Sequence, residues 1–399
     1  MAYTKVKPLM VDSFPSSRLT GAFGAINGAN LTGLGDGIDT KSASSDPAIN
    51  TNPAGGVGHS WLNKTTGEIF ICTVATTDAN VWVNVGGGVL GVYTSAGIVL
   101  GYITRDRWIE TVSLSSDTGG STVAGLVWTK GVKAGGSAGC HSATHFYSAG
   151  GANAGVTYET NIEKIQFAAS SASVGAGSLS VGCFAQSGHM STTHGYTAAG
   201  TDAYGAPGSG PLARNIKIIQ KFPFASSSTS VTIGNMEKFV RSHVGWSTRT
   251  YGYTCGGDES IVNGSTTQKR LGAQKFGFAS DGDGIVITST MTVGRTNIAT
   301  SSSETTAYGL GGHGPSYSNV MDKFSYASEG TGTDIGDLDQ PTYAGGGLSS
   351  TTDGYCCGGT TPTATTRIHK FSFASEGNAD NVGDLTNAGG HGPTQGSQY

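Results

Sequence analysis

At 399 residues the chain is long enough for two or three domains of ordinary size. Glycine fills 65 positions, more than twice its usual share of about 7%, while Asp, Glu, Lys and Arg together make only 13% against about 25% in typical globular chains. With a net charge of −4 and no Lys/Arg cluster the chain is no nucleic-acid binder, which needs a basic face, and aromatic residues at 9% speak against a disordered polar chain.

The start, MAYTKVKPLMVDSF, has no apolar core of the kind a secretory signal needs, and no run of about 18 apolar residues spans a membrane. Residues 1–40, with FPSSRLTGAFGAINGANLTGLGDG, carry scattered Leu and Phe between glycine turn signals and read as an extended attachment or collar segment. Residues 39–56 have linker composition. Within 41–90 the short apolar run EIFICTV, flanked by turn signals, predicts a hairpin or small β module with Trp61 and Trp82 in its core or at an interface. Gly86 to Gly88 form a hinge into the remainder.

From about 91 onward one phrase recurs. KIQFAAS, KFPFASS, KFGFASD, KFSYASE and KFSFASE start at 164, 221, 275, 323 and 370, spaced by 57, 54, 48 and 47 residues, and a degenerate copy, TVSLSSD, starts at 111. Phe371 and Phe373 alternate with Lys370 and Ser372, the period-two pattern of a half-buried strand. A second phrase ends in Gly-Gly or its like after a tyrosine: Tyr147, Tyr196, Tyr253, Tyr308 and Tyr355. Each unit is too small to bury its own apolar face, so neighbours must stack. A period near 50 with several strands predicts propeller blades, with a β-solenoid as the alternative fold. The last unit, from Ile368, stops at GSQY where its Tyr strand should begin, and GVYTSAG with Tyr93 offers the missing strand. Residues 91–399 are therefore expected to form about six blades, closed by pairing N- and C-terminal strands.

The phrases I-x-KF-x-F-A-S, VGDLT and GY-x-x-GG resemble the kelch-like repeats of bacteriophage tail fibre proteins, those of marine and cyanobacterial phages especially. WLN-x-TTGE resembles a module that recurs in phage structural proteins. The resemblance implies an all-β chain: a kelch-like β-propeller behind a small β module and an N-terminal attachment segment. It implies a virion protein, extracellular after lysis, joined through its N-terminus to other tail or baseplate proteins as a homotrimer, and a propeller that binds a host surface glycan or receptor. A purely structural virion component is the alternative.

No constellation points to catalysis, metal or cofactor, so a non-enzyme is expected. The pair His141 and His145 has metal-binding spacing only on a helix, and EGTGTD lacks the spacing of a calcium loop. Six scattered cysteines, none in a CxxC pair, are expected as buried thiols. Aromatic faces suit sugar rings and the arginine fork suits acidic sugars, so the candidate ligand-binding residues are Trp128, His194, Tyr204, Arg241, Trp246, Arg249 and Tyr317.

Overall fold

The computed structural model describes residues 40–65, 68–86, 100–105, 108–114, 116–129, 136–152, 158–167, 169–202, 214–262, 266–303, 305–389 and 395–398. Residues 1–39 of the predicted attachment segment, Gly87, Gly88, Tyr93 and Tyr204 lie outside them, while Gly86 of the predicted hinge ends a strand. The chain divides into two compact units, Met1–Gly88 and Val89–Tyr399. Every regular element among the described residues is a β-strand.

In the first unit, Thr40–Ala43, Ser60–Asn63, Ile69–Val74 and Val81–Gly86 form one sheet in that order, the first pair parallel and the others antiparallel. The predicted linker is thus partly a strand, and its remainder is pinned. The Trp61 indole N–H donates to the Ser45 carbonyl at 2.8 Å, Trp82 donates to Thr51 at 3.3 Å, and Asn63 donates to Asp46 at 2.7 Å. Linker composition concealed this because Ser, Asn and Asp serve here as backbone partners rather than as solvated coil. The two indoles meet edge to face at 5.9 Å.

The second unit repeats one four-strand sheet plan. An inner strand is followed by the Tyr strand, the KF-x-F strand and an outer strand, all antiparallel. The inner strands are Ala138–His141, Ser187–Met190, Val244–Ser247, Ala299–Ser302 and Gly346–Ser349. Their Tyr strands are His145–Ala149, His194–Ala198, Tyr251–Cys255, Thr306–Leu310 and Asp353–Cys357. The inner strand is not marked by either of the recurring sequence phrases. It escapes notice because its residues are small. They are small because the inner strands pack backbone to backbone: a Cβ added at Gly188 would overlap the Gly139 carbonyl oxygen, and one at Gly347 that of Thr300.

A sixth sheet is mixed. Gln395–Gln398 pairs antiparallel with Leu100–Arg105, followed by Trp108–Ser113 and Thr118–Val127. Its Tyr position is held by Tyr102, not Tyr93, and its inner strand comes from the other end of the described chain. Each sequence repeat, counted from KF-x-F to Tyr, therefore spans two sheets. The inner strands lie side by side in chain order, and Gln395–Gln398 packs against both Gly346–Ser349 and Ala138–His141.

Hydrophobic clusters sit between neighbouring sheets. Trp246, Tyr253 and Cys255 pack with Met291, Ile298 and Phe324, and Tyr102, Ile109 and Leu126 pack with Phe146, Ile165 and Phe167. Five of the six tyrosines meet the second aromatic of the next KF-x-F strand: Tyr147 with Phe224 at 4.7 Å, Tyr196 with Phe278 at 4.6 Å, Tyr253 with Tyr326 at 5.7 Å, Tyr308 with Phe373 at 5.0 Å and Tyr102 with Phe167 at 5.2 Å, while Tyr355 meets Leu114 at that position and donates to its carbonyl at 3.1 Å. The repeat lysines cross the same junctions. Lys221 pairs with Asp281 at 2.8 Å, Lys275 with Glu329 at 2.6 Å, Lys323 with Glu376 at 2.7 Å and Lys370 with Asp117 at 2.8 Å. All six cysteines are free and buried, as their small-hydrophobe reading predicts, and burial pushes the Cys183, Cys255 and Cys356 thiols up to about 12.

The backbone contact at Gly347 carries a prediction. Gly347→Ala forces apart two main chains that have no side chain to give way, costing on the order of 3 kcal/mol. Thermal unfolding should fall by about 6–12 °C. Gly175→Ala, where an added Cβ meets nothing within 4 Å, is the control and should leave the midpoint unchanged.

Candidate functional site

The strand plan gives the second unit two unlike ends. At one end the inner strand turns into the Tyr strand through residues 142–144, 191–193, 248–250, 303–305 and 350–352, five turns of equal length. They share one hydrogen bond, such as Ser191 N–H to His194 O at 2.9 Å and Ser350 N–H to Asp353 O at 2.8 Å. Ser or Thr hydroxyls accept further turn N–H groups.

At the other end the connections from the Tyr strands to the KF-x-F strands differ in length, covering 150–160, 199–217, 256–271, 311–319 and 358–362, of which 153–157, 203–213 and 263–265 lie outside the described residues, and the third contains the paired strands Asp258–Val262 and Thr266–Lys269. Each opens on two consecutive left-handed residues, as Gly256 (φ 68°) and Gly257 (φ 90°) show, which is what the repeated Gly-Gly supplies. The N–H of the second residue bonds the connector of the next sheet: Gly151 to Cys183 O, Gly200 to Val240 O, Gly257 to Arg295 O and Gly312 to Thr342 O, at 2.7–2.9 Å. Connectors bond one another too, with Ser242 N–H on Ala185 O, Asn297 on Ser242 and Ala344 on Asn297. A fixed backbone frame thus carries loops of free length, the arrangement in which binding residues are commonly found.

The sequence candidates separate accordingly. Trp128 is only 2% exposed, edge to face with Phe146 at 5.7 Å. Trp246 is 6% exposed, sandwiched between Tyr253 at 6.0 Å and Phe324 at 5.5 Å. Both fill inter-sheet cores instead of loop surfaces, because wide apolar rings are what two facing sheets can bury. His194 and Arg249 lie at the uniform end. His194 Nδ1 meets Thr193 Oγ1 at 2.8 Å, and partial burial lowers its pKa. Arg241 and Tyr317 lie at the variable end.

There they join residues that sequence reading did not single out. Arg241 faces Asp258 at 3.8 Å across paired strands, and Lys269 holds the same carboxylate at 2.7 Å. Tyr158 stacks on Phe184 at 5.8 Å beside Arg241; burial raises the Tyr158 phenol, Arg241 opposes the rise and Asp202 adds to it. Tyr317, 37% exposed, forms a three-ring cup with His313 at 5.3 Å and Tyr343 at 5.8 Å. Asn297 donates to the Tyr343 hydroxyl at 2.9 Å. Burial raises the Tyr343 phenol, and Asp258 adds to the rise, which ties the cup to the Arg241–Asp258–Lys269 group. The signal available in the sequence was position: Asp258 and His313 directly follow a Gly-Gly, and Tyr343 directly precedes a left-handed connector residue.

A buried polar trio lies deeper. Ser187 Oγ meets His189 Nε2 at 2.7 Å and His243 Nε2 at 2.8 Å, and His189 Nδ1 faces the Trp246 carbonyl at 3.1 Å. The carbonyl only accepts, so His189 carries its proton on Nδ1, accepts from Ser187, and His243 donates to that hydroxyl. Burial lowers His189 to about 4 and His243 to about 3. Both imidazoles are neutral when folded and take up protons near 6.5 when unfolded, so stability is full above pH 6.5 and falls as the pH drops below it. Each contributes about 1.4 kcal/mol per pH unit. His243→Gln should show a shallower loss of thermal stability between pH 5.5 and 4 than the parent, and parallel curves would refute the assignment.

No protein-family model and no curated protein sequence matches this chain. Among solved structures the fold is similar to that of YjhT, with a TM-score of 0.51 at 12% identity, over 64% of this chain and 85% of that one. At this identity the likeness concerns the fold alone. The second unit is all-β and propeller-like.

Proposed function

We propose that the six sheets are blades of a closed six-bladed propeller and that the chain is a non-enzymatic phage tail fibre or receptor-binding protein whose variable loops meet a host surface glycan. Closure is supported by the mixed sheet, by the Tyr102–Phe167 contact and by the Lys370–Asp117 pair, which repeat between its strands and their neighbours the junctions seen elsewhere. The observation that carries the binding role is polarity. Leu100 and Gln398 lie at the end of uniform turns, so these two strands have their outer tips opposite the loops that vary, the end where Arg241 and Tyr317 lie. Attachment to other virion proteins through the N-terminal segment, as a homotrimer, follows from the sequence resemblance. Labelled full-length protein should bind host cells saturably and block adsorption of the phage, and the protein should copurify with particles. Its absence from particles would end this reading.

A second reading, a structural virion component, draws on a different observation. Val174, Val231 and Ile285 are exposed at the same register of successive outer strands, each opposite a repeat lysine. Presence in particles without cell binding would favour it.

A further inference from the structure

Resting on the glycan reading, we infer that the variable end takes a carboxylate-bearing oligosaccharide, with Arg241 as the carboxylate receptor and Tyr158 and Tyr317 as sugar platforms on either side of it. Three observations lead there. First, Asp258 does not consume Arg241. Lys269 holds the Asp258 carboxylate at 2.7 Å, while the Arg241 Nε stands off at 3.8 Å with 38% of its side chain exposed. The guanidinium therefore keeps donors for an incoming carboxylate, whose two oxygens match the planar fork. Second, the charges near Arg241 leave room for an anion: Lys269 offsets Asp258, and Arg270 closes on Glu259 at 2.7 Å. Asp202 acts on Tyr158, Glu159 accepts from Asn161 at 2.8 Å, and Glu237 accepts from the Val286 N–H at 2.9 Å. Third, two separate aromatic stations flank the charged group, Tyr158 stacked on Phe184 and Tyr317 against Tyr343. Two platforms with a cation between them suit consecutive sugar rings bearing an acid, whereas a single sugar would use one.

The test is an array of uronate-containing, sulfated and neutral oligosaccharides, together with the uronates as methyl esters, probed with labelled full-length protein. Uronate glycans should be retained, and esterification should weaken binding at least tenfold. Arg241→Gln and Tyr317→Ala should each weaken it at least tenfold with the unfolding temperature unchanged. Arg241→Lys should fall between parent and Arg241→Gln, and Arg249→Ala at the opposite end should bind as the parent does. Retention of neutral glycans, or of sulfated ones in preference to uronates, overturns the carboxylate assignment while leaving glycan binding in place. If no glycan is retained, this assignment and the glycan reading both fall.

Discussion

Asp322→Ala should lower stability by about 3–5 kcal/mol, the largest effect expected of any single side chain here. Asp322 and Arg295 form an ion pair with both side chains essentially inaccessible to solvent. Thr292 donates to the free oxygen of Asp322 at 2.6 Å, and Arg295 also reaches the carbonyls of Gly311 and Val320 at 2.7 and 2.6 Å. Burial works against the Arg295 charge and Asp322 sustains it. Removing the carboxylate leaves a buried cation on neutral acceptors, and at about 2–4 °C per kcal/mol the midpoint should drop by about 6–20 °C. The double variant Arg295→Met with Asp322→Leu should recover much of that loss, because an apolar pair has no charge to desolvate. A single variant as stable as the parent would show that the pair is open to water.

Deleting residues 395–399 should be comparably damaging. The deletion removes the inner strand of the mixed sheet and leaves Leu100–Arg105 as a bare edge beside Gly346–Ser349 and Ala138–His141. Four paired residues are lost, and at about 1 kcal/mol per net backbone hydrogen bond the direct cost is on the order of 3–4 kcal/mol. A bare edge also recruits other chains, so light scattering should report association alongside the lower midpoint. A monodisperse deletion variant with unchanged melting would defeat the closed-ring proposal.

These two sites were unequally legible in the sequence. The KF-x-F strands and the Tyr strands announced themselves through alternation and recurrence. The residue before the repeat lysine did not, although it is buried in every sheet: Glu163, Gln220, Gln274, Asp322 and His369. These positions differ in charge yet share a task, which is to hold the connector that leads into their own sheet. Glu163 accepts from Thr129 Oγ1 at 2.6 Å, and Gln274 accepts from Lys238 N–H at 2.7 Å. A pattern of residue types cannot reveal a position defined by what it caps.

Tyr93 was chosen over Tyr102 for a related reason. The match rested on the tyrosine and the small residues after it, whereas in several sheets the residue before the tyrosine is a further constraint, although Phe146 and Ala307 stand there in two others. Gly195, Gly252 and Gly354 precede their tyrosines because an added Cβ would overlap the ring of Phe222, Phe276 or Phe371. Gly101 meets Leu348 in the same way, whereas Val92 precedes Tyr93. At the variable end, residue chemistry singled out Arg241 and Tyr317 as candidates, and it did not single out Tyr158, Asp258 and Tyr343 beside them because the loops share no repeat to align them. Trp128 and Trp246 were misplaced because an aromatic side chain serves a core and a sugar platform equally well.

The pairing of Gln398 with Gly101 also fixes how the second unit would meet a mechanical load. Its first and last described strands are antiparallel neighbours whose outer tips leave from the same end. Tension applied between those tips would peel the two strands apart one residue pair at a time, starting at Gly101 and Gln398, instead of shearing all four pairs together. Under such a pull the mixed sheet is the first to give, while the five sheets made of continuous chain stay paired.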